Sequence, residues 1–295
     1  MNRRTFNKLV SIIPLAGVTM SLTHLETILA NNKNTELMPT IFVGHGNPMN
    51  AIEENKFTRG WQDTAAKIPT PQVIICISAH WETNGTFITA MDKPKTIHDF
   101  GGFPEALYKV QYPAPGSPST ANDIKKLLHG SKIGMDYDWG LDHGCWAPIM
   151  RMYPEANLPI IQISLDRSLD AQGHYEFAKQ LQIYRNKGAL IIGSGNLVHN
   201  LRLVAWDKMD EPDFGYDWAI EANTKMKKYI SEGDTKSLIN YRSQGKAFDL
   251  AIPTAEHYLP MLYVMGLQAK NETISFFNDK AQAGSLTMTS FIAGN

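Results

Sequence analysis

Four histidines in this chain stand where apolar runs end. Thr40-Ile41-Phe42-Val43-Gly44 leads into His45, and Val73 through Ala79 leads into His80. Ala189 through Val198 passes Gly193-Ser194-Gly195 and reaches His199 and Asn200. The fourth, His257, follows Pro253-Thr254-Ala255-Glu256, a proline-containing start to a helix. Imidazole binds iron, zinc, copper and nickel, and a histidine-rich site with open positions activates what binds there. If the three runs are parallel neighbours in one sheet, His45, His80 and His199 converge on one sheet edge. The glycines beside His45 and before His199 allow the sharp turns that aim side chains inward. The competing reading is structural, because a strand-end histidine taken alone is more often a hydrogen-bonded residue than a ligand. No close His-x-x-x-His or Cys-x-x-Cys pair is present to decide between them.

The elements that must position these residues are legible as alternating short runs and amphipathic stretches. Residues 40–43, 73–78, 86–90, 160–165 and 189–192 are rich in Val, Ile and Phe, bounded by turn residues and too short for helices. Such runs suit strands buried on both faces. Ser119 is placed to cap a helix over 119–128, and 175–184 and 218–230 have similar helical spacing. Alternating strands and helices predict a single α/β domain with a central, largely parallel or mixed sheet covered by helices. In such sheets ligands sit beyond the carboxyl ends of the strands, where these histidines fall.

Bulk properties narrow the partner. The 295 residues are 43% hydrophobic, enough for a substantial core, and Lys plus Arg (28) nearly balance Asp plus Glu (29). That balance gives no bulk attraction to nucleic acid or anionic lipid and favours a small-molecule substrate. Arg3 and Arg4 precede Phe6 and an apolar stretch over 9–22, too short to favour stable membrane insertion. Residues 1–30 therefore read as a twin-arginine-like export signal, with periplasmic or other exported placement, although Asn2 and Asn7 depart from that pattern. Without such a signal the placement would be cytoplasmic. Residues 31–37 read as a linker, and the folded domain spans 38–295. Cys76 lies in an apolar run and Cys145 follows His143-Gly144, and both are expected to be free thiols.

Seven motifs in order give the chain a family resemblance. They are Gly44-His45-Gly46-Asn47-Pro48-Met49-Asn50, Ser78-Ala79-His80-Trp81, His98-Asp99-Phe100-Gly101-Gly102-Phe103-Pro104 and Tyr112-Pro113-Ala114-Pro115-Gly116. Asp142-His143-Gly144, Gly195-Asn196-Leu197-Val198-His199-Asn200-Leu201 and Glu256-His257-Tyr258-Leu259-Pro260 complete the series. Together they resemble the 4,5-DOPA extradiol dioxygenases, within the class III, subunit-B-like extradiol ring-cleaving enzymes. The resemblance implies one mononuclear metal site, expected to hold Fe(II) with Zn(II) possible in its place, that opens a catechol-type ring with O₂. It also implies His45, His80 and His257 as ligands, with His199 beside the metal as a further ligand or the acid/base. His143 would face O₂ or substrate. A two-His-one-carboxylate site would instead take Glu256 as third ligand, so His257 is preferred and Glu256 kept in reserve.

Ring opening beside a diol needs a proton taken from a catechol hydroxyl and one returned later. Neutral imidazole is suited to both, and His199 and His143 are assigned to that work. His98 with Asp99 either shapes the substrate mouth or belongs to lid packing with Phe100, Phe103 and Pro104. Trp81 and Trp146 either wall an aromatic pocket or sit in the core. His24, His129 and His174 lie in the leader or on polar stretches and are expected to be solvated. Two rivals use the same histidines: a zinc hydrolase acting through a bound water, and a non-catalytic binding protein resembling the MEMO group. The residues leave the oligomeric state open.

Overall fold

Alternation along the apolar runs fixes the architecture. In the computed structural model, which describes residues 37–128, 133–209 and 211–294, six strands form one mixed sheet. They are β1 (Thr40–Gly44), β2 (Val73–Ser78), β3 (Ile160–Gln162), β4 (Ala189–Gly195), β5 (Thr273–Phe277) and β6 (Ser290–Gly294). Their order is β3-β2-β4-β1-β6-β5; the first four run parallel, and β6 and β5 complete one side antiparallel. Leader residues 1–30, with His24, and His129 lie outside the described residues.

Successive side chains leave a strand on opposite faces. Ile41, Val43, Ile74, Cys76 and Ile192 accordingly join one core with Trp61 and Trp146, carried by α1 (Lys56–Ala65) and a later helix over His143–Met152. Phe42, Ile75, Ile77 and Ile191 join the other, against helices at Pro118–Leu127, Ala171–Lys179, Asp217–Glu232 and Leu259–Leu267. In chain order these helices are α2 (Pro118–Leu127), α3 (His143–Met152), α4 (Ala171–Lys179), α5 (Asp217–Glu232) and α6 (Leu259–Leu267). The sheet is thus covered on both faces, as its doubly apolar strands require. Among the described residues no helix is long and apolar enough to cross a membrane.

Several local expectations are corrected. Residues 86–90 form a strand, Thr86–Thr89, but it pairs with Ile133–Asp136 outside the central sheet. Residues 160–165 break after Gln162 because Ser164 turns inward, its Oγ accepting from Phe87 N at 2.8 Å and pairing with Thr83 Oγ1 at 2.6 Å. Leu165–Asp166 then pairs with Glu82–Thr83 instead. The cap of α2 is Ser117 rather than Ser119, with Pro118 as the first helical residue. The stretch 175–184 is divided between the end of α4 and a short helix at Gln182–Asn186. His174, expected to be solvated, is buried and paired with the Tyr263 hydroxyl at 3.0 Å, because α4 packs on α6. Cys76 and Cys145 are buried free thiols, as expected.

Candidate metal centre

The parallel register brings the histidines together. Gly44 of β1 stands beside Gly195 of β4, and His45 N donates to Gly195 O at 3.1 Å. On the other side of β4, Ala79 N donates to Ser194 O at 2.9 Å, so the turn after β2 delivers His80 to the same edge. The Nε2 atoms of His45 and His80 are 3.2 Å apart. His257 arrives from the loop before α6, whose backbone is clamped to the end of β4 by Asn196 N donating to His257 O at 2.9 Å. This approach depends on Gly195: a Cβ there would stand 2.1 Å from His257 O. One ring nitrogen from each of His45, His80 and His257 lies within 4.8 Å of the others.

The partners of the second ring nitrogens set the tautomers. His45 Nδ1 is 3.0 Å from Ser194 Oγ, whose own hydroxyl donates to Gly144 O, so Ser194 accepts and His45 Nδ1 carries the proton. His80 Nδ1 meets Asp99 Oδ2 at 3.3 Å, and His257 Nδ1 meets Glu256 Oε1 at 3.1 Å. A carboxylate only accepts, so His257 Nδ1 donates to Glu256, and the nearby Asp99 charge favours the proton of His80 on Nδ1 as well. All three rings therefore keep the lone pair on Nε2, the atom left for the shared point. Outer hydrogen bonds of this kind orient metal-binding imidazoles and raise their basicity.

Electrostatics act in the same sense. Burial, reinforced by the neighbouring histidines, pushes His45 and His257 well below the ordinary imidazole range. Burial, with His143 adding, brings His80 to about 3; His199 is brought to about 4, Glu256 partly opposing. These four imidazoles are therefore neutral at pH 7. For Asp99, burial alone would raise the carboxyl, but the hydrogen bond and charge of His143, with His80, outweigh it and hold it below the usual range.

His143 opens α3, where Asp142 caps the helix by accepting from Cys145 N at 3.0 Å. Asp99 grips His143 twice, accepting its backbone N–H at 2.8 Å and meeting its Nδ1 at 2.9 Å. His199 stands outside the three-histidine group. Its ring is stacked on His257, 3.5 Å between centroids and 8° from parallel, within a second group containing Glu256. Glu256 points at the back of His257, and Thr254 Oγ1 donates to it at 2.8 Å.

A cavity of about 500 Å³ opens beside these rings, bounded by Phe100, Phe103, Leu201, Val204, Trp206 and Met209 among others. Asp99 is among its lining residues, whereas His98 is not and meets Val110 O through Nε2 at 3.0 Å. The choice for the two tryptophans resolves to packing: Trp146 is buried and donates to Ile97 O, and Trp81 stacks on Trp139. Sequence reasoning missed the apolar mouth around Trp206, 69% exposed, and the anchor Ser194. The only sequence signal for the former was the apolar Leu201, Leu203 and Trp206 so soon after His199.

The donor set fits a divalent ion. Two nitrogens bound at about 2.1 Å and near-tetrahedral or octahedral angles stand about 3.0–3.4 Å apart, and the His45–His80 separation of 3.2 Å falls in that interval. Comparisons with known proteins agree with this chemistry. Residues 38–281 match the family described as "Catalytic LigB subunit of aromatic ring-opening dioxygenase". The chain is 44% identical over 261 residues to the "4,5-DOPA dioxygenase extradiol" of Escherichia coli (strain K12), covering 87% of this chain and 95% of the relative. It is 34% identical over 259 residues to the protein of the same name from Beta vulgaris, covering 85% and 95%. The crystal structure of an uncharacterized Escherichia coli K12 protein superposes with a TM-score of 0.75 at 39% identity, covering 87% of this chain and 100% of that one.

Proposed function

Since the chain belongs to the LigB family and is a metal-dependent extradiol ring-cleaving dioxygenase, we propose that His45, His80 and His257 hold the ion and that this ion is Fe(II). The carrying observation is the trio of imidazoles whose Nδ1 atoms are all engaged, leaving three Nε2 lone pairs for one point. Zn(II) suits the same donors but has no redox chemistry to offer O₂. When bound, the ion supplies a Lewis-acid template that brings catechol and O₂ together and lets electrons pass between them.

The protein's own residues do the rest. His143, fixed by Asp99 through Nδ1, lines the cavity. His199, neutral because burial depresses its pKa to about 4, stands on the other side of the cluster. These two share the proton work: one removes a catechol hydroxyl proton and the other returns a proton as the ring opens. His199 takes this role rather than that of fourth ligand, since it stands outside the group of three. Phe100, edge-on to His143 with centroids 5.5 Å apart at 80°, and Phe103 hold the ring's apolar edge and exclude water.

The substrate is a DOPA-like catechol, by the names of the two relatives. Residues 1–30 direct export, which fractionation of cells expressing the full chain would test. For the reaction, anaerobically Fe(II)-loaded protein is given L-DOPA or a simple catechol, and oxygen uptake and a yellow ring-opened product are followed. Normal turnover by His45→Ala or His80→Ala would refute the ligand assignment.

A further inference from the structure

We propose that Asp99 is a positioning residue for ring opening, one carboxylate that fixes a metal ligand and an acid/base group together. The inference rests on the roles of His80 and His143 given above. A single oxygen, Oδ2, lies 2.9 Å from His143 Nδ1 and 3.3 Å from His80 Nδ1. The other oxygen, Oδ1, accepts the backbone N–H of His143 at 2.8 Å, so the start of α3 is tied to the same group. The two rings are held with centroids only 4.0 Å apart.

The carboxylate next to His143 in sequence is not ready to take this place. Asp142 is fully engaged: it accepts from Ser78 Oγ at 2.6 Å, Gln162 Nε2 at 2.7 Å and Cys145 N at 3.0 Å. Asp99 also immediately precedes Phe100, whose ring packs on His143, so the substrate wall is anchored at the same point. An ionised carboxylate has lone pairs for all three N–H groups. An amide has one accepting oxygen, and its NH₂ must then confront at least one donor. Asp99→Asn therefore keeps the shape and breaks the arrangement.

The test uses the full chain with Asp99→Asn and, as the variant that retains a carboxylate, Asp99→Glu. Metal affinity is read by chelator competition, and kcat and KM for a catechol are read at saturating Fe(II). Asp99→Asn should weaken metal binding by about 10–100-fold, the usual cost of losing an outer carboxylate partner of a ligand. At saturating metal it should lower kcat on the order of 100-fold while KM stays within about 3-fold. Asp99→Glu should recover part of both losses. In a His143→Ala background, Asp99→Asn should still weaken metal binding through His80 but lower kcat by less than about 3-fold further. Unchanged metal affinity in Asp99→Asn, or kcat losses that multiply in full in the double variant, would overturn the proposal while leaving the native activity intact. A native protein that neither binds Fe(II) nor opens a catechol would remove the reading beneath it instead.

Discussion

The Nε2 atoms of His45 and His80 face one another at 3.2 Å, and neither carries a proton to share. Two lone pairs directed at one gap repel, and a cation placed within reach of both turns that repulsion into ligation. Metal binding should therefore stabilise the fold. At a metal concentration of 100 times Kd the gain is about 2.7 kcal/mol, which for a domain of this size is a rise in Tm of about 5–10 °C. His45→Ala and His80→Ala should lose that rise together with oxygen uptake, and without metal their Tm should not fall below that of the native chain by more than a few degrees. Thermal scans with and without Fe(II), and with chelator, check this. A full metal-induced rise in His45→Ala would count against the geometry.

Gly195 is where the end of β4 meets the backbone that carries His257. Because a Cβ would come within 2.1 Å of the His257 carbonyl, a rigid neighbour, Gly195→Ala must push the two segments apart. Overpacking of this kind costs about 1–3 kcal/mol. The displacement falls on a proposed ligand, so metal affinity should drop along with urea stability. A variant that loses neither would show that this backbone contact has room to relax.

Trp206 lines the same cavity as the imidazoles and is largely exposed, so it offers an aromatic face to an entering substrate. Trp206→Ala should raise KM for an aromatic diol by about 5–10-fold, the loss of one aromatic contact, with kcat and Tm little changed. Steady-state kinetics on one catechol suffice. A fall in kcat at unchanged KM would place Trp206 in the reaction instead of at its entrance.

The strand-end histidines were legible because the runs before them are apolar on both faces, which forces them into a covered sheet whose edges then coincide. His257 was not legible in that way. It comes from a loop that is neither periodic nor near β1 in sequence, and only the motif resemblance made it a ligand in preference to Glu256. Asp99 could be read as mouth or lid because its role depends on His80 and His143, which meet it from separate elements. Thr86–Thr89 has a good strand composition, yet composition does not name a partner, and it pairs outside the main sheet. The two tryptophans failed as pocket walls for a related reason: proximity in sequence to a site histidine says nothing about which face of the element a ring takes.

His174 shows the same limitation and yields a test of its own. Its sequence neighbours Gln172 and Glu176 suggest a wet helix face, but α4 lays His174 against Tyr263 of α6, 89 residues away. Burial brings its pKa from 6.5 to about 4, with Asp166 and Asp170 partly opposing. A base depressed in the folded state binds fewer protons there than in the unfolded chain between those two values. Stability is therefore unaffected above pH 6.5, falls as pH drops from 6.5 toward 4, and falls no further from this source below 4. Across the whole window the loss is about 3 kcal/mol, and at pH 5 about 2 kcal/mol. His174→Gln keeps a hydrogen-bonding partner for Tyr263 and cannot be protonated. The metal-site histidines add an acid limb common to both proteins, so the informative quantity is the difference between native and variant. Urea unfolding at pH 7.5 and pH 5.0 should show the native chain losing about 2 kcal/mol more than His174→Gln. Parallel losses in the two proteins would mean that His174 is protonated as readily in the folded state as in the unfolded one.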